Sequence, residues 1–119
     1  MIKALVCGGR DFADRQWLIK VLDTMRPDVI IQGGADGADL IAKEWAMSRG
    51  KSYWTFPPDW DSHGKAAGPI RNRQMVEWGK PNVVLAFPGG KGTANMVKLA
   101  KAAGIDVLEY STTQNKVAK

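Results

Sequence analysis

Three glycine-rich turns hold the residues best suited to chemistry. They read Cys7-Gly8-Gly9-Arg10-Asp11, Gln32-Gly33-Gly34-Ala35-Asp36-Gly37-Ala38-Asp39 and Pro88-Gly89-Gly90-Lys91-Gly92-Thr93. A turn without side-chain bulk lets backbone N–H groups approach an anion, and a helix opening from it adds partial positive charge. The third turn follows an apolar run, Val83 to Phe87, and passes into a helix-like segment. It lacks the GxxxxGK[ST] spacing of a P-loop, and none of the turns contains GxGxxG, so the usual dinucleotide cofactor site is not indicated. The chemistry they suit is the binding of a phosphate-bearing ligand.

A second group of candidates lies between Pro57 and Met75. Pro69 suits the first turn of a helix, which would place Arg71, Asn72 and Arg73 in that turn. Basic residues there oppose the helix dipole, so at least one arginine is expected to serve a ligand, gripping phosphate bidentately. Trp60 either caps the core beneath its loop or stacks on a base. Lys65 lies in the same loop as His63, which is the sole histidine and excludes a multi-histidine metal site. Both are candidate ligand contacts. Asp39 is the best carboxylate, able either to cap backbone N–H groups or to hydrogen-bond a ribose hydroxyl. Asp11 and Asp36 serve to shape their turns. Cys7 reads as a small core residue rather than a nucleophile. No metal and no cofactor are expected.

The elements that must position these residues alternate from end to end. Strand-like runs cover Lys3 to Cys7, Val29 to Gln32, Ser52 to Phe56, Asn82 to Phe87 and Asp106 to Glu109. Helical spacing of apolar residues predicts helices over Arg15 to Met25, Ala38 to Arg49, Ile70 to Trp78 and Thr93 to Ala103. Gly50, Gly79 and Gly104 fall where helix C-caps would sit, and Trp17, Trp45, Trp54 and Trp78 are expected to pack on the sheet. The expected fold class is α/β, a Rossmann-like three-layer sandwich with a mostly parallel sheet of about five strands. All three turns would then share the carboxyl edge of that sheet, where such folds bind ligands. Pro57 to Pro69 reads as one long functional loop. One domain is expected over residues 1–110, with 111–119 as a frayed tail.

The chain has 119 residues, 45% of them hydrophobic and 24% charged, as in ordinary soluble domains. No run approaches the length of a membrane span, and a single cysteine permits no intramolecular disulfide, which suits the cytoplasm. The net charge of +5 does not by itself choose a partner. Several basic residues do fall within the turns and loops: Arg10, Lys65, Arg71, Arg73 and Lys91.

Taken together, GGRDF (Gly8 to Phe12), QGGADGAD (Gln32 to Asp39) with Glu44-Trp45-Ala46, PPDWDSHGKAAGPIRNRQM (Pro57 to Met75) and AFPGGKGTANMV (Ala86 to Val97) resemble the YspA-like, cpYpsA-related branch of the SLOG superfamily. That superfamily is named for the DNA-processing Smf/DprA proteins and the LOG nucleotide hydrolases. The resemblance implies a Rossmann-like fold that binds nucleotides, with Pro88 to Thr93 as the phosphate loop. LOG enzymes cleave the N-glycosidic bond of nucleoside monophosphates with an arginine and the glutamate of a PGGxGTxxE motif. Here Arg71, or else Arg73, is the nearest match to that arginine, while the glutamate position is Met96. A thioether can neither stabilise an oxocarbenium-like centre by charge nor transfer a proton. The expectation is therefore a binder of an ADP-ribose-like nucleotide or cyclic signalling molecule that senses or sequesters it.

The expected ligand contacts are Gly8, Gly9, Arg10, Gly33, Gly34, Asp39, Trp60, His63, Lys65, Arg71, Asn72 and Pro88 through Thr93 (Pro88, Gly89, Gly90, Lys91, Gly92, Thr93). The alternative is a nucleotide N-glycosidase in which Asp39 and Arg71 act. A homo-oligomer is expected. Nucleic acid is the least favoured partner, because aromatic and basic residues do not interleave on one surface in the pattern of a single-strand binder.

Overall fold

The computed structural model describes residues 1–110, so the tail expected over 111–119 lies outside the described residues. Five strands, β1 (Lys3–Cys7), β2 (Val29–Gln32), β3 (Ser52–Thr55), β4 (Val83–Ala86) and β5 (Asp106–Glu109), form one sheet in the order β3-β2-β1-β4-β5. Every pairing is parallel, with Leu5 facing Ile31 on one side and Val84 on the other. The three central strands are the apolar ones, as a sheet covered on both faces requires. Successive residues point to opposite faces. Val6, Ile30 and Leu85 thus pack under α1 (Arg15–Met25) and α2 (Ala38–Ser48), while Leu5, Ile31 and Val84 pack under α5 (Lys91–Ala102) and under Met75, which directly follows α4 (Ala67–Gln74).

Local sequence explains the main elements. Asp14 caps α1 by accepting from the Trp17 N–H at 3.1 Å, and Trp17, Leu18 and Leu22 bury its inner face. Gly50 and Gly104 take left-handed conformations just beyond α2 and α5, with φ of 66° and 74°. Four aromatic rings, Phe12, Trp17, Phe87 and Tyr110, cluster beneath the first and third glycine-rich turns, with Phe12 and Phe87 centred 5.3 Å apart. Among the described residues, no helix is long and apolar enough to cross a membrane.

Several expectations need correction. Pro57 to Pro69 is not one irregular loop. It contains α3 (Trp60–His63), a 3-10 turn (Gly64–Ala66) and the start of α4 at Ala67. Asp59 accepts from the Ser62 N–H at 3.1 Å and caps α3, a signal masked by Gly64, Gly68 and Pro69. Because α4 starts early, Arg71 and Arg73 occupy its last turn rather than its first. Their charge is compatible with the dipole there, so the argument from electrostatic mismatch does not hold. Beyond α4 the chain makes a wide turn over Met75–Gly79, and the left-handed residue is Lys80 (φ 49°) rather than Gly79. Gly79 is small for another reason, since a Cβ there would come within 3.0 Å of Ile31 Cδ1. Trp17 and Trp45 are buried as expected, but Trp54 and Trp78 are 39% and 67% exposed. Trp54 lies on the edge strand β3, which is exposed along its whole length, and Trp78 lies in the wide turn beyond α4.

The glycine turns separate into two structural kinds, and stability measurements should distinguish them. Gly37 has φ of 76°, and a Cβ on it would strike Gly9 O. Gly37→Ala is expected to cost about 2 kcal/mol or more in urea unfolding. Gly92, in the first turn of α5, has nothing within 4 Å of a Cβ, so Gly92→Ala should change stability by no more than about 0.5 kcal/mol. Equal losses in both variants would refute the distinction.

Candidate functional site

The sheet runs from β1 outward to β3, then returns to place β4 on the other side of β1. At such a reversal the connections leave in opposite directions, and a crevice opens at the carboxyl ends of the two strands. A cleft of about 450 Å³ occupies that position. Val6, Cys7 and Met75 contribute to its lining, Gly8, Gly9 and Arg10 come from the first turn, and Ala35 and Asp39 from the second. Trp60, Lys65, Gly68, Pro69, Arg71 and Asn72 form the wall from α3 to α4, while Gly90 to Thr93 and Asn95 form the wall from α5.

Five of the seven glycines expected to approach a ligand (Gly8, Gly9, Gly33, Gly34 and Gly89) instead lie against other parts of the protein. Gly9 N donates to Pro88 O at 2.8 Å. A Cβ on Gly9 would stand 3.2 Å from Gly89 Cα, one on Gly89 would stand 2.7 Å from Gly9 N, and one on Gly8 would meet Ala38 Cβ at 2.7 Å. Gly33 is covered by the Arg71 guanidinium, which occupies the space of its missing Cβ. Only Gly90 and Gly92, of the glycines lining the cleft, have open space where a side chain would be. Neither α2 nor α5 has a side-chain cap at its N-terminus. The free N–H groups at the start of α5 therefore lie beside the cleft with no side chain bonded to them.

Asp39 and Arg71 tie the turns together. Asp39 Oδ2 accepts from the N–H groups of Gly33 (3.1 Å) and Ala35 (3.2 Å), which fixes the second turn. Its other oxygen, Oδ1, has no hydrogen-bond partner among the described residues and is not sealed from solvent. Burial raises the Asp39 pKa from 3.8 to about 6, against the opposing pull of the two N–H bonds and Arg71. Arg71 Nη1 donates to Gly33 O at 2.6 Å, and its Nε donates to Asn72 Oδ1 at 3.0 Å. Burial lowers its pKa while Asp39 raises it, and an arginine so placed stays protonated. Asn72, itself buried, donates from Nδ2 to Gly92 O (3.1 Å) and to Asn95 Oδ1 (2.9 Å). One hydrogen-bonded path thus runs from the second turn through α4 to α5.

Arg10, Lys65, Arg71 and Lys91 all line the cleft, and among the described residues none has a carboxylate within ion-pair distance. Trp60 is 49% exposed, with its ring edge near Gly68. Cys7 is buried, which pushes its thiol up to about 12 and leaves it protonated rather than nucleophilic.

Gly8, Gly9, Arg10, Asp39, Trp60, Lys65, Arg71, Asn72, Gly90, Lys91, Gly92 and Thr93 therefore meet in one place. Gly33, Gly34, His63, Pro88 and Gly89 are not in the cleft lining. Gly33 and Gly34 support the second turn, with Gly34 N donating to Gln32 Oε1 at 2.7 Å. Pro88 and Gly89 border shallower neighbouring grooves, and His63 stands exposed at the end of α3. Two contributors went unrecognised in the sequence. Asn95 follows Gly92 by three residues and so shares its helix face, a spacing readable only once α5 is known to begin at Lys91. Gln32 is fully buried and fixes the strand end, but a polar residue closing an apolar run gives no sign of this. Met96, at the position of the hydrolase glutamate, is fully buried in the core below α5.

These features define an α/β domain of Rossmann-like class with a basic cleft at its switch point. A profile of the YspA, cpYpsA-related SLOG family (YAcAr) matches residues 2–63. The Gene 61 protein of Mycobacterium phage D29 is 37% identical over 122 aligned positions, which cover 92% of this chain and 97% of that one. The chain belongs to the YspA, cpYpsA-related SLOG family. Its fold is similar to that of DNA processing protein A (DprA) from Streptococcus pneumoniae, with a TM-score of 0.77 at 18% identity. That match covers the whole of this chain but only 54% of the other, so this chain spans about half the length of that protein.

The raised Asp39 pKa has a signed consequence. The folded state binds the proton more tightly than the unfolded chain, so protonation stabilises the fold. That stabilisation is complete below 3.8 and lost as pH rises through about 6. The interval between 3.8 and about 6 corresponds to about 3 kcal/mol. Asp39→Asn keeps an acceptor for Gly33 and Ala35 but cannot ionise. The stability of the wild type relative to this variant should rise as pH falls from 7 to about 4.5 (urea midpoints at each pH). A difference independent of pH would refute the burial argument.

Proposed function

We propose that the chain binds a nucleotide-derived anion of the ADP-ribose type, or a cyclic signalling nucleotide, and senses or sequesters it. The observation that carries this reading is the convergence of Arg10, Lys65, Arg71 and Lys91 on one cleft without carboxylate partners. Unpaired cations gathered around the uncapped start of α5 are poor stability devices, because they repel one another. They suit a ligand with more than one negative charge. The open space at Gly90 and Gly92 admits phosphate close to the backbone. Trp60 offers a ring face to a base and Asp39 Oδ1 an acceptor to a sugar.

Calorimetry with AMP, ADP, ADP-ribose, NAD and cyclic dinucleotides tests the reading. A binder at one hundred times its Kd should stabilise the protein by about 2.7 kcal/mol and raise its melting temperature. Gly92→Ala should weaken binding about tenfold while leaving stability unchanged, because its new methyl would occupy phosphate space. If every ligand in the panel binds more weakly than about 1 mM, the reading is overturned.

One observation favours a nucleotide N-glycosidase as the second reading. Asp39 titrates near neutrality and keeps one oxygen free in the cleft near Arg71. Such a carboxyl can act as a general acid or base. Chromatography after long incubation with nucleoside monophosphates and NAD decides between the two. Release of free base by wild type, abolished in Asp39→Ala and Arg71→Ala, would favour catalysis. The name of the DprA relative refers to DNA processing, so a single-stranded oligonucleotide belongs in the panel. Binding that falls steeply with added salt would favour nucleic acid instead.

A further inference from the structure

We infer that Asn95 is a ligand-contact residue that reads a sugar hydroxyl, giving the cleft a preference for ribonucleotides over deoxyribonucleotides. The inference rests on the nucleotide reading above and assigns a specificity within that site.

The argument follows hydrogen-bond polarity along the path from Arg71. A guanidinium Nε can only donate. Asn72 must therefore turn Oδ1 toward it, which fixes the orientation of that buried amide. The Asn72 nitrogen then carries two hydrogens, one directed to Gly92 O and the other to Asn95. Asn95 must accept that second hydrogen, so it presents Oδ1 to Asn72 and turns its own Nδ2 away. Among the described residues no acceptor takes Nδ2, the atom is not sealed from solvent, and Asn95 lines the cleft. An arginine more than twenty residues earlier in the chain thus sets the polarity of an amide on α5.

The opposite need stands at Asp39, whose Oδ1 is an unpartnered acceptor in the same cleft. A site offering a fixed donor from one element and an acceptor from another suits a group that both accepts and donates. Hydroxyls do so, whereas phosphate oxygens and unprotonated ring nitrogens only accept. A vicinal diol can engage both walls at once. Position supports a sugar rather than a second phosphate. Asn95 lies three residues along α5 from Gly92, about 4.5 Å of helix rise from the phosphate turn, as a sugar lies beside its own phosphate.

The test compares ADP with 2′-deoxy-ADP and 3′-deoxy-ADP by calorimetry on the full chain. Wild type should bind ADP about tenfold more tightly than at least one deoxy analogue. In Asn95→Ala that ratio should fall to about one, chiefly through weaker binding of ADP. Thermal unfolding of the variant checks that the loss is not one of folding. If that variant fails to fold, Asn95→Asp, which keeps the acceptor toward Asn72 but replaces the donor with a second acceptor, should bring the ratio to about one in its place. Equal affinity of wild type for all three ligands, or an unchanged ratio in a folded Asn95→Ala, would overturn the assignment while leaving nucleotide binding intact. Failure of ADP to bind at all would also overturn the assignment, and the nucleotide reading falls with it only where the rest of the panel fails to bind as well.

Discussion

The contact of the Arg71 guanidinium with Gly33 is the constraint on which the rest of the cleft depends. It occupies the space where any other residue at position 33 would carry a Cβ, and it donates to the Gly33 carbonyl at 2.6 Å. The same peptide segment is held from the other side by Asp39, which accepts from Gly33 N. Arg71 reaches onward to Asn72, and Asn72 to α5. A half-buried guanidinium with no ion pair is costly unless its donors are satisfied. Here the carbonyls of Gly33 and, at 3.5 Å, Phe56 take Nη1 and the Asn72 amide oxygen takes Nε, and their geometry holds the second turn, α4 and α5 at fixed separations. The charge that positions the walls is also available to an anion between them.

The glycines illustrate how a correct pattern can carry an incomplete reason. Three Gly-rich turns on one sheet edge were legible because the strands before them are short, apolar and separated by segments of helical periodicity. The bounds of β1, β2, β5 and α1 follow directly from that periodicity. The sequence does not distinguish a glycine that makes room for a ligand from one that makes room for another turn. Gly8, Gly9, Gly37 and Gly89 interlock, and their smallness lets the turns after β1, β2 and β4 pack against one another. That packing narrows the switch-point crevice and leaves Gly90 and Gly92 open beside the start of α5.

The segment from Pro57 to Gly79 was the least legible, for a physical reason. Gly64, Gly68 and Pro69 all lower local helix propensity, yet α3 and α4 form because Asp59 caps the first and Ala67 and Asn72 are buried along the second, with Met75 buried just beyond it. Tertiary burial overrides propensity there, and the consequence for the site is large. Shifting the start of α4 by three residues moves Arg71 from an N-terminal turn, where it would compete with the dipole for an anion, to a later turn, where it can lie over Gly33.

The two sides of α5 bear on whether the site holds or transforms its ligand. Met96 belongs to the core, packed in the cluster containing Leu5, Val84 and Ala100. The residue beside it, Asn95, belongs to the cleft. At this stretch of the helix the cleft therefore receives a neutral amide whose orientation is set by Asn72, and no carboxylate. Asp39 is left as the only acidic side chain in the lining among the described residues, and burial raises its pKa to about 6. With one partly suppressed negative charge among four cations, the cleft is better matched to an anionic ground state than to a cationic oxocarbenium-like centre. Electrostatics of that sign stabilise a bound phosphate and oppose the charge that develops when a glycosidic bond breaks.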